Sequence, residues 1–526
     1  MKPSLLASAL SMALVLPLAG TAQAAVSLTQ VGHFAETCSD TEDGGCTEIA
    51  AYSKTAQRLY VTNGTDNKLR ILNVSESGAL APMAENSGVV SEIDLSVYGG
   101  GPNSVAVYGE WVAVAVQADN KQSNGLVLVF DLDGNLERKI KVGALPDMLT
   151  FSPDGRYLLV ANEGEPSDAY SRDPKGSISI INTQRNWLVK TAGFAHFNNQ
   201  GQGKGSAELT GDVRIFGPNA TVAQDLEPEY IAVSPDSSTA WVSLQENNAL
   251  AIVDIAKAEV TDVVSLGFKD HLLLANSLDV SDKDDDENGG INLKNWPVLG
   301  MYQPDAIAPL VIDDQVYILS ANEGDARDYD GYSEEERVKD LELDEAAFAD
   351  FLAEKGMTLD ELQANENLGR LNVTTSHGDD NGDGKFEKLY AYGARSFSVW
   401  NSDAELVWDS ANQFETLLKQ FAEDDDMDVW EDSRSDNKGP EPESITVGEI
   451  DDVPYAFIGL ERTSGVFVYD MTNPAMPQPV SFFDLEPAGD ISPEGLMFVK
   501  EGAHNWLVVT SEVSSTVSIY EVSVSD

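Results

Sequence analysis

Short apolar runs alternate with polar turns along most of the chain, and the alternation repeats as a unit. Each copy has an acidic or polar residue, usually after Pro, then an apolar strand, a turn, a second apolar strand and a polar residue at its end. The clearest copies are "LPDMLTFSPDGRYLLVANEG" from Leu145, "LEPEYIAVSPDSSTAWVSLQEN" from Leu226, "YQPDAIAPLVIDDQVYILSANEG" from Tyr302, "PEPESITVGEIDDVPYAFIGLER" from Pro440 and "SPEGLMFVKEGAHNWLVVTSEV" from Ser492. Two degenerate copies precede them, "TEIAAYSKTAQRLYVTNG" from Thr47 and "GPNSVAVYGEWVAVAVQAD" from Gly101. Most continue into a third run rich in β-branched and aromatic residues, such as "GSISIINT" or "GVFVYDM", the composition of sheet strands. Repeated antiparallel strands at roughly 40 or more residues per unit predict propeller blades. The fold expectation is therefore all-β, a seven-bladed β-propeller with helical and loop insertions between blades; a β-sandwich array is the alternative. The last copy stops at its third strand, "TVSIYEV", and "AVSLTQVGHF" at Ala25 to Phe34 is placed to supply the missing outer one.

The beat is interrupted at about 186–226, 329–372 and 411–440. "LDEAAFADFLAEKG" has helical apolar spacing with Gly356 as its stop. Thr358 and Glu361 form a capping box for a second helix, and "QFETLLKQFA" predicts a third. Residues 1–24 combine a basic start, an apolar run and small residues before Ala25, the pattern of a cleaved signal peptide. The expectation is one propeller domain over 25–526, periplasmic or secreted. No later stretch reaches the roughly 18 apolar residues of a membrane helix. Cys38 and Cys46 are the two cysteines, eight residues apart, and export favours a small disulfide loop over free thiols.

Charge narrows the partners. Against 33 Lys and Arg stand 88 Asp and Glu, a formal net charge of −55, which argues against nucleic acid and anionic membranes as partners and favours cations. The repeat concentrates that charge: Asp147 with Glu163, Glu229 with Glu246, Asp305 with Glu323, Glu443 with Glu461, and Glu494 with Glu512, separated by 16 to 18 residues, one hairpin. In a propeller the start of the first strand and the end of the second share one face, so these carboxylates should meet at the channel mouth. The degenerate copies offer Glu48 with Asn63 and Asn103 with Gln117. Crowded carboxylates raise one another's pKa unless a cation compensates. An all-oxygen donor set suits Ca2+ better than zinc, and five His and two Cys leave little for a nitrogen or sulfur site. The bland alternative is that the acids cap strand ends. A separate loop, "DDNGDGKFE", spaces Asp379, Asn381 and Asp383 like the first ligands of a calcium loop, but Tyr390 stands where a bidentate Glu would close an EF-hand. "SDKDDDENGG" near Asp282 has a similar alternation or is a solvated charge run.

The segments "LPDMLTFSPDGRYLLVANEGEP", "INLKNWPVLGMYQPDAIA", "SANEGDARDYDGYSEEERV" and "GPEPESITVGEI" resemble the choice-of-anchor I family of exported bacterial proteins. That family is similar to a mesenchyme-specific cell-surface glycoprotein of biomineralising animals, and its members are often labelled atypical alkaline phosphatases. The resemblance implies a calcium-dependent phosphomonoesterase, with a second metal such as iron as an option and a phosphate ester or other small molecule as ligand. In so acidic a chain, Arg327, Arg395 and Arg462 are the candidates for a phosphate clamp, or are ion-pair partners. The competing expectation is a non-enzymatic calcium-binding surface or matrix protein. "DSA" at Asp409 to Ala411 matches a phosphatase nucleophile motif, yet only His504 follows it, so Ser410 reads as a turn residue. The oligomeric state has no signature in the sequence.

Overall fold

The computed structural model describes residues 14–15, 25–39, 46–85, 87–284, 290–424 and 427–525. Apart from Leu14–Val15, the expected signal peptide lies outside the described residues.

The repeated runs form antiparallel four-stranded meanders, with a short fifth strand in the first and sixth, here numbered as blades by their first strands: Thr47–Ser53, Gly101–Tyr108, Pro146–Phe151, Ile231–Val233, Ile307–Ile312, Pro442–Ile450 and Pro493–Glu501. First strands of successive blades lie side by side, and that of blade 7 lies against that of blade 1, so the sheets close around a channel. The fold is a β-propeller. Closure explains the unbroken apolar runs: a blade is covered on both faces, so strands such as Trp111–Gln117 and Val453–Leu460 bury nearly every side chain. Between blades 1 and 2, for example, Tyr60, Ile71, Val114, Leu128 and Phe130 form one cluster.

Ala25–Ala35 is the outer strand of blade 7, paired with Thr516–Ser525 from Ala25 opposite Ser525 to Ala35 opposite Thr516. Beside this seam the buried Asp490 accepts hydrogen bonds from Thr516 Oγ1 (2.6 Å), Ser518 Oγ (2.9 Å) and the Tyr520 hydroxyl.

The helical excursions form where capping signals and apolar spacing coincide. Asp344 accepts from the Ala346 N–H at the start of helix Glu345–Lys355, and Gly356 ends it at φ 68°. Thr358 and Glu361 form their capping box on a single turn, Leu359–Leu362. Helix Gln413–Asp424 packs Phe414, Leu418 and Phe421 onto blades 5 and 6. The fourth strand of blade 3, Leu188–Gly193, occupies the beginning of the 186–226 stretch. Blade 5 is split: its second strand, Gln315–Asn322, pairs with Ser396–Asn401, and the chain between them leaves the ring. With the segment before blade 5 it builds a second sheet of Phe268–Asp270, Leu299–Met301, Tyr390–Ala391, Asn372–Thr374 and Glu335–Arg337. Its own core includes Trp296, Phe348, Leu362 and Val373.

Candidate cation site at the channel mouth

Six of the seven blades open with a local distortion, a register slip, a left-handed residue or both. In blades 1, 2, 3, 6 and 7 the register of the first pair slips where the acidic or polar residue stands: between Thr47 and Ala50, Pro102 and Ser104, Pro146 and Leu149, Pro442 and Ile445, and Pro493 and Gly495. A bulge of this kind takes a residue out of the ladder and redirects it. Pro supplies no N–H to the ladder, so it fits the first position of a strand. In four blades the residue before that Pro is left-handed: Leu145 (φ 46°), Gln303 (44°), Glu441 (51°) and Ser492 (59°). Such non-glycine backbone costs of order 1–3 kcal/mol each and persists where the surroundings enforce it.

The result is a ring of six carboxylates, Glu48, Asp147, Glu229, Asp305, Glu443 and Glu494, completed by Asn103. Burial first, and then mutual repulsion, pushes their protonation upward: Glu48 to about 8 with Glu512 and Asp147 as neighbours, and Asp147 to about 6 with Glu165 opposing it. Glu229, Asp305, Glu443 and Glu494 are raised well above the usual range by burial and then by neighbouring carboxylates, Glu246 beside Glu229, Glu323 beside Asp305 and Glu443, and Asp305 beside Glu494. Tyr230 lies beneath the ring, its phenol raised by burial and by Asp305, Asp147 and Glu494. Further along the channel the walls become apolar around a cavity of about 270 Å3, with Ile49, Val105, Leu149 and Leu496 among its lining.

The second-strand ends bring up the other halves of the pairs. The two "ANEG" endings have a division of labour. Asn162 donates to Ser177 O (2.9 Å) and Ser179 Oγ (3.0 Å), and Asn322 to Ser398 Oγ (2.8 Å), cross-linking second and third strands. Glu163 and Glu323 reach the mouth. Gly324, at φ 97°, lies so near the chain that a Cβ there would be 2.2 Å from Gly393 N. Two triads result, Glu163 with Glu227 and Glu246, and Glu323 with Glu443 and Glu461, each with carboxylate oxygens within 4.8 Å of one another. Twice a calcium–oxygen distance of roughly 2.3–2.6 Å spans the same gap.

Positive charge reaches this face unevenly. Arg327 pairs with Glu227 (2.9 Å) and Asp225 (2.7 Å), Lys438 with Glu323 and more distantly Glu441 (3.7 Å), and Arg462 with Glu441 (3.0 Å) and Glu461 (3.1 Å). Burial raises Glu461, to about 7, against the pull of Arg462. Glu441 is lowered despite burial, because Lys438, Arg462 and Arg434 surround it. Among the described residues no such ion pair falls on the six ring carboxylates. Glu229 Oε2, Glu246 Oε2 and Glu443 Oε2 are buried without a hydrogen-bond partner. The donor set is oxygen only, with buried oxygens unsatisfied, and it fits a hard divalent cation.

The three arginines do not converge. Arg327 is fully buried, with Phe216 under its guanidinium at 4.5 Å. Arg395 is also buried; it donates to Asp279 O, Ser435 O (2.7 Å) and Asn437 O (3.0 Å) and pairs with Glu415 (3.0 Å), so it anchors insertions. Only Arg462 keeps accessible surface at the mouth, with its side chain 34% exposed. Ser410 is buried and accepts the Phe397 N–H (3.0 Å), a structural role. In the 379–387 loop, Asp379 and Asp383 cluster with Glu387, while Asn381 points its amide nitrogen at Glu387. Asp379 is already engaged by the N–H groups of Gly382 (2.8 Å) and Gly384 (2.9 Å). The acidic run at 285–289 lies outside the described residues, and Asp282 before it pairs with Arg370 (2.8 Å). Cys38 and Cys46 form a disulfide with Cα atoms 6.1 Å apart.

The family model of the choice-of-anchor I domain matches residues 48–474. The chain belongs to the choice-of-anchor I family. It is 36% identical over 122 residues to Gigasin-3a of Magallana gigas, a match covering 21% of this chain and 43% of that protein, so it spans less than half of that relative's length. Among solved structures, similar chains are the Kuenenia stuttgartiensis hydrazine synthase (12% identity, 92% of this chain and 98% of that one, TM-score 0.43) and the Myceliophteria thermophila Cps50 (Swd1) β-propeller domain (9%, 92% and 99%, TM-score 0.41).

Several residues at the mouth of this choice-of-anchor I propeller escaped the sequence pattern. Glu227 and Glu441 stand two places before Glu229 and Glu443 in the same Glu-Pro-Glu spacing, a signal present in the sequence. Lys438 carries no such mark, because only the path of the preceding insertion brings it to Glu323.

Proposed function

We propose that this propeller binds a divalent cation, calcium by the chemistry of its donors, at the channel mouth. The observation that carries the reading is the ring of six carboxylates, on which no ion pair falls among the described residues, together with buried oxygens of Glu229, Glu246 and Glu443 that accept no hydrogen bond. Without a counter-charge such a ring must take up protons or repel itself; a six- to eight-coordinate oxygen-seeking ion removes both costs. Glu229, Glu246, Glu163 and Asp147 would be its ligands on one side of the channel. Export accompanies this reading and is supported by the Cys38–Cys46 disulfide. Equilibrium dialysis of chelator-stripped protein against calcium tests it: retention of calcium is expected, and no retention at millimolar calcium would sink it.

Phosphomonoester hydrolysis at the same site is the second reading, favoured by the accessible Arg462 beside Glu461. A bound cation would polarise a phosphoryl oxygen; Arg462, exchanging Glu441 for the ester, would hold a second oxygen. Turnover of 4-nitrophenyl phosphate, lost on chelation, restored by calcium and lowered in Arg462→Ala, is the expected result. Inactivity with calcium demonstrably bound leaves a calcium-binding surface protein.

A further inference from the structure

The two carboxylate triads are built alike and are neutralised differently. Arg327, beside Glu163, Glu227 and Glu246, is fixed: its guanidinium is fully buried and shared with Asp225. Lys438 meets the opposite triad as a point charge on a flexible stem. Its ammonium contacts Glu323 Oε1, with Glu441 Oε2 at 3.7 Å. Around it, Glu323 Oε2 accepts from Gln245 Nε2 (2.9 Å), Glu461 Oε1 meets Arg462 (3.1 Å), and the buried Glu443 Oε2 has no hydrogen-bond partner. Lys438 is delivered by a turn in which Asn437 and Gly439 donate to Arg434 O (3.0 and 2.9 Å) and Arg395 holds the carbonyls of Ser435 and Asn437. The turn is tethered on either side of Lys438, while its side chain remains 14% exposed.

We propose that Lys438 is a built-in competitor for calcium at the Glu323, Glu443 and Glu461 triad, which becomes a second cation site when the ammonium leaves. The inference rests on the reading of the channel mouth as a cation site, and adds that its two sides are unequal. Three carboxylates with a lysine carry a balance of minus two; the same three with calcium carry minus one, so the exchange relieves repulsion at the cost of withdrawing one side chain. The lysine also explains how this half of the mouth is tolerated without metal.

The test is calorimetric titration of calcium into chelator-stripped full-length protein, wild type against Lys438→Met, with Lys438→Arg as charge-retaining control. Lys438→Met should bind one more calcium per chain than wild type at low calcium, and Glu323→Gln added to it should remove that gain. Lys438→Arg should not show it. If wild type binds calcium and Lys438→Met, folded, binds the same number with the same affinity, the inference is overturned while the channel-mouth reading stands. If neither binds calcium, both fall. Should Lys438→Met not fold, acetylation of Lys438 in the wild type decides, read by peptide mass spectrometry. Saturating calcium should raise its acetylation rate severalfold over chelator, and an unchanged rate overturns the competition.

Discussion

Arg395 shows, at the residue scale, how local sequence leaves two roles open. An arginine opening a strand in an acidic chain reads as an anion clamp or as an ion-pair partner, and its guanidinium pairs with Glu415 and donates to carbonyls of two excursions from the ring. Replacing it with Ala leaves Glu415 buried without its partner, which costs on the order of 3–5 kcal/mol. Thermal unfolding of Arg395→Ala should show a large loss of stability; a melting temperature near wild type would refute the anchoring role. The "ANEG" glycine is a sharper case of the same lesson. Gly324→Ala puts a Cβ 2.2 Å from Gly393 N at φ 97°, so a loss of at least about 1–3 kcal/mol is expected in denaturant unfolding. The motif was legible as a repeat; what each letter does required the third strand beside it, which in blade 5 arrives from Ser396.

Strands and the helical spacing of the long insertions were legible at the scale of elements, because apolar periodicity and capping are local properties. The closing strand was legible too, since the last copy lacked its outer partner. The second sheet was not: its strands are two or three residues each and come from segments far apart in sequence. The seam between Ala25–Ala35 and Thr516–Ser525 holds the ring shut, and Asp490 gathers three hydroxyls beside it. Asp490→Ala strips the acceptor from these groups, at about 1–3 kcal/mol for buried donors left unpaired. Amide hydrogen exchange should then quicken along 25–35 before it does in blade 3. Exchange accelerating uniformly over all blades would contradict a local seam.

The whole molecule ties its acidity to its closure. Blade openings that kink at Pro and bulge bring Asp147, Glu443 and Glu494 to one axis, and the openings of three other blades add Glu48, Glu229 and Asp305. The convergence was readable from the repeat, whereas the uneven placement of Arg327, Lys438 and Arg462 depended on tertiary paths with no sequence period. Stability should consequently depend on pH and calcium together. Glu48 is raised from 4.5 to about 8 and Asp147 from 3.8 to about 6, so the folded state binds these protons more tightly than the unfolded chain does. Their contribution is fully present below the unfolded values and is lost as pH rises towards 8. Chelated protein should melt higher at pH 5.5 than at about pH 8.5, with calcium giving the larger increase at the alkaline end; a calcium effect that vanishes there would contradict the linkage. The most direct measurement is the calcium-binding isotherm of chelator-stripped wild type beside Glu229→Gln/Glu246→Gln. The account predicts that the double variant, still folded, loses at least one calcium per chain; the same number bound with the same affinity would contradict a cation site at the channel mouth.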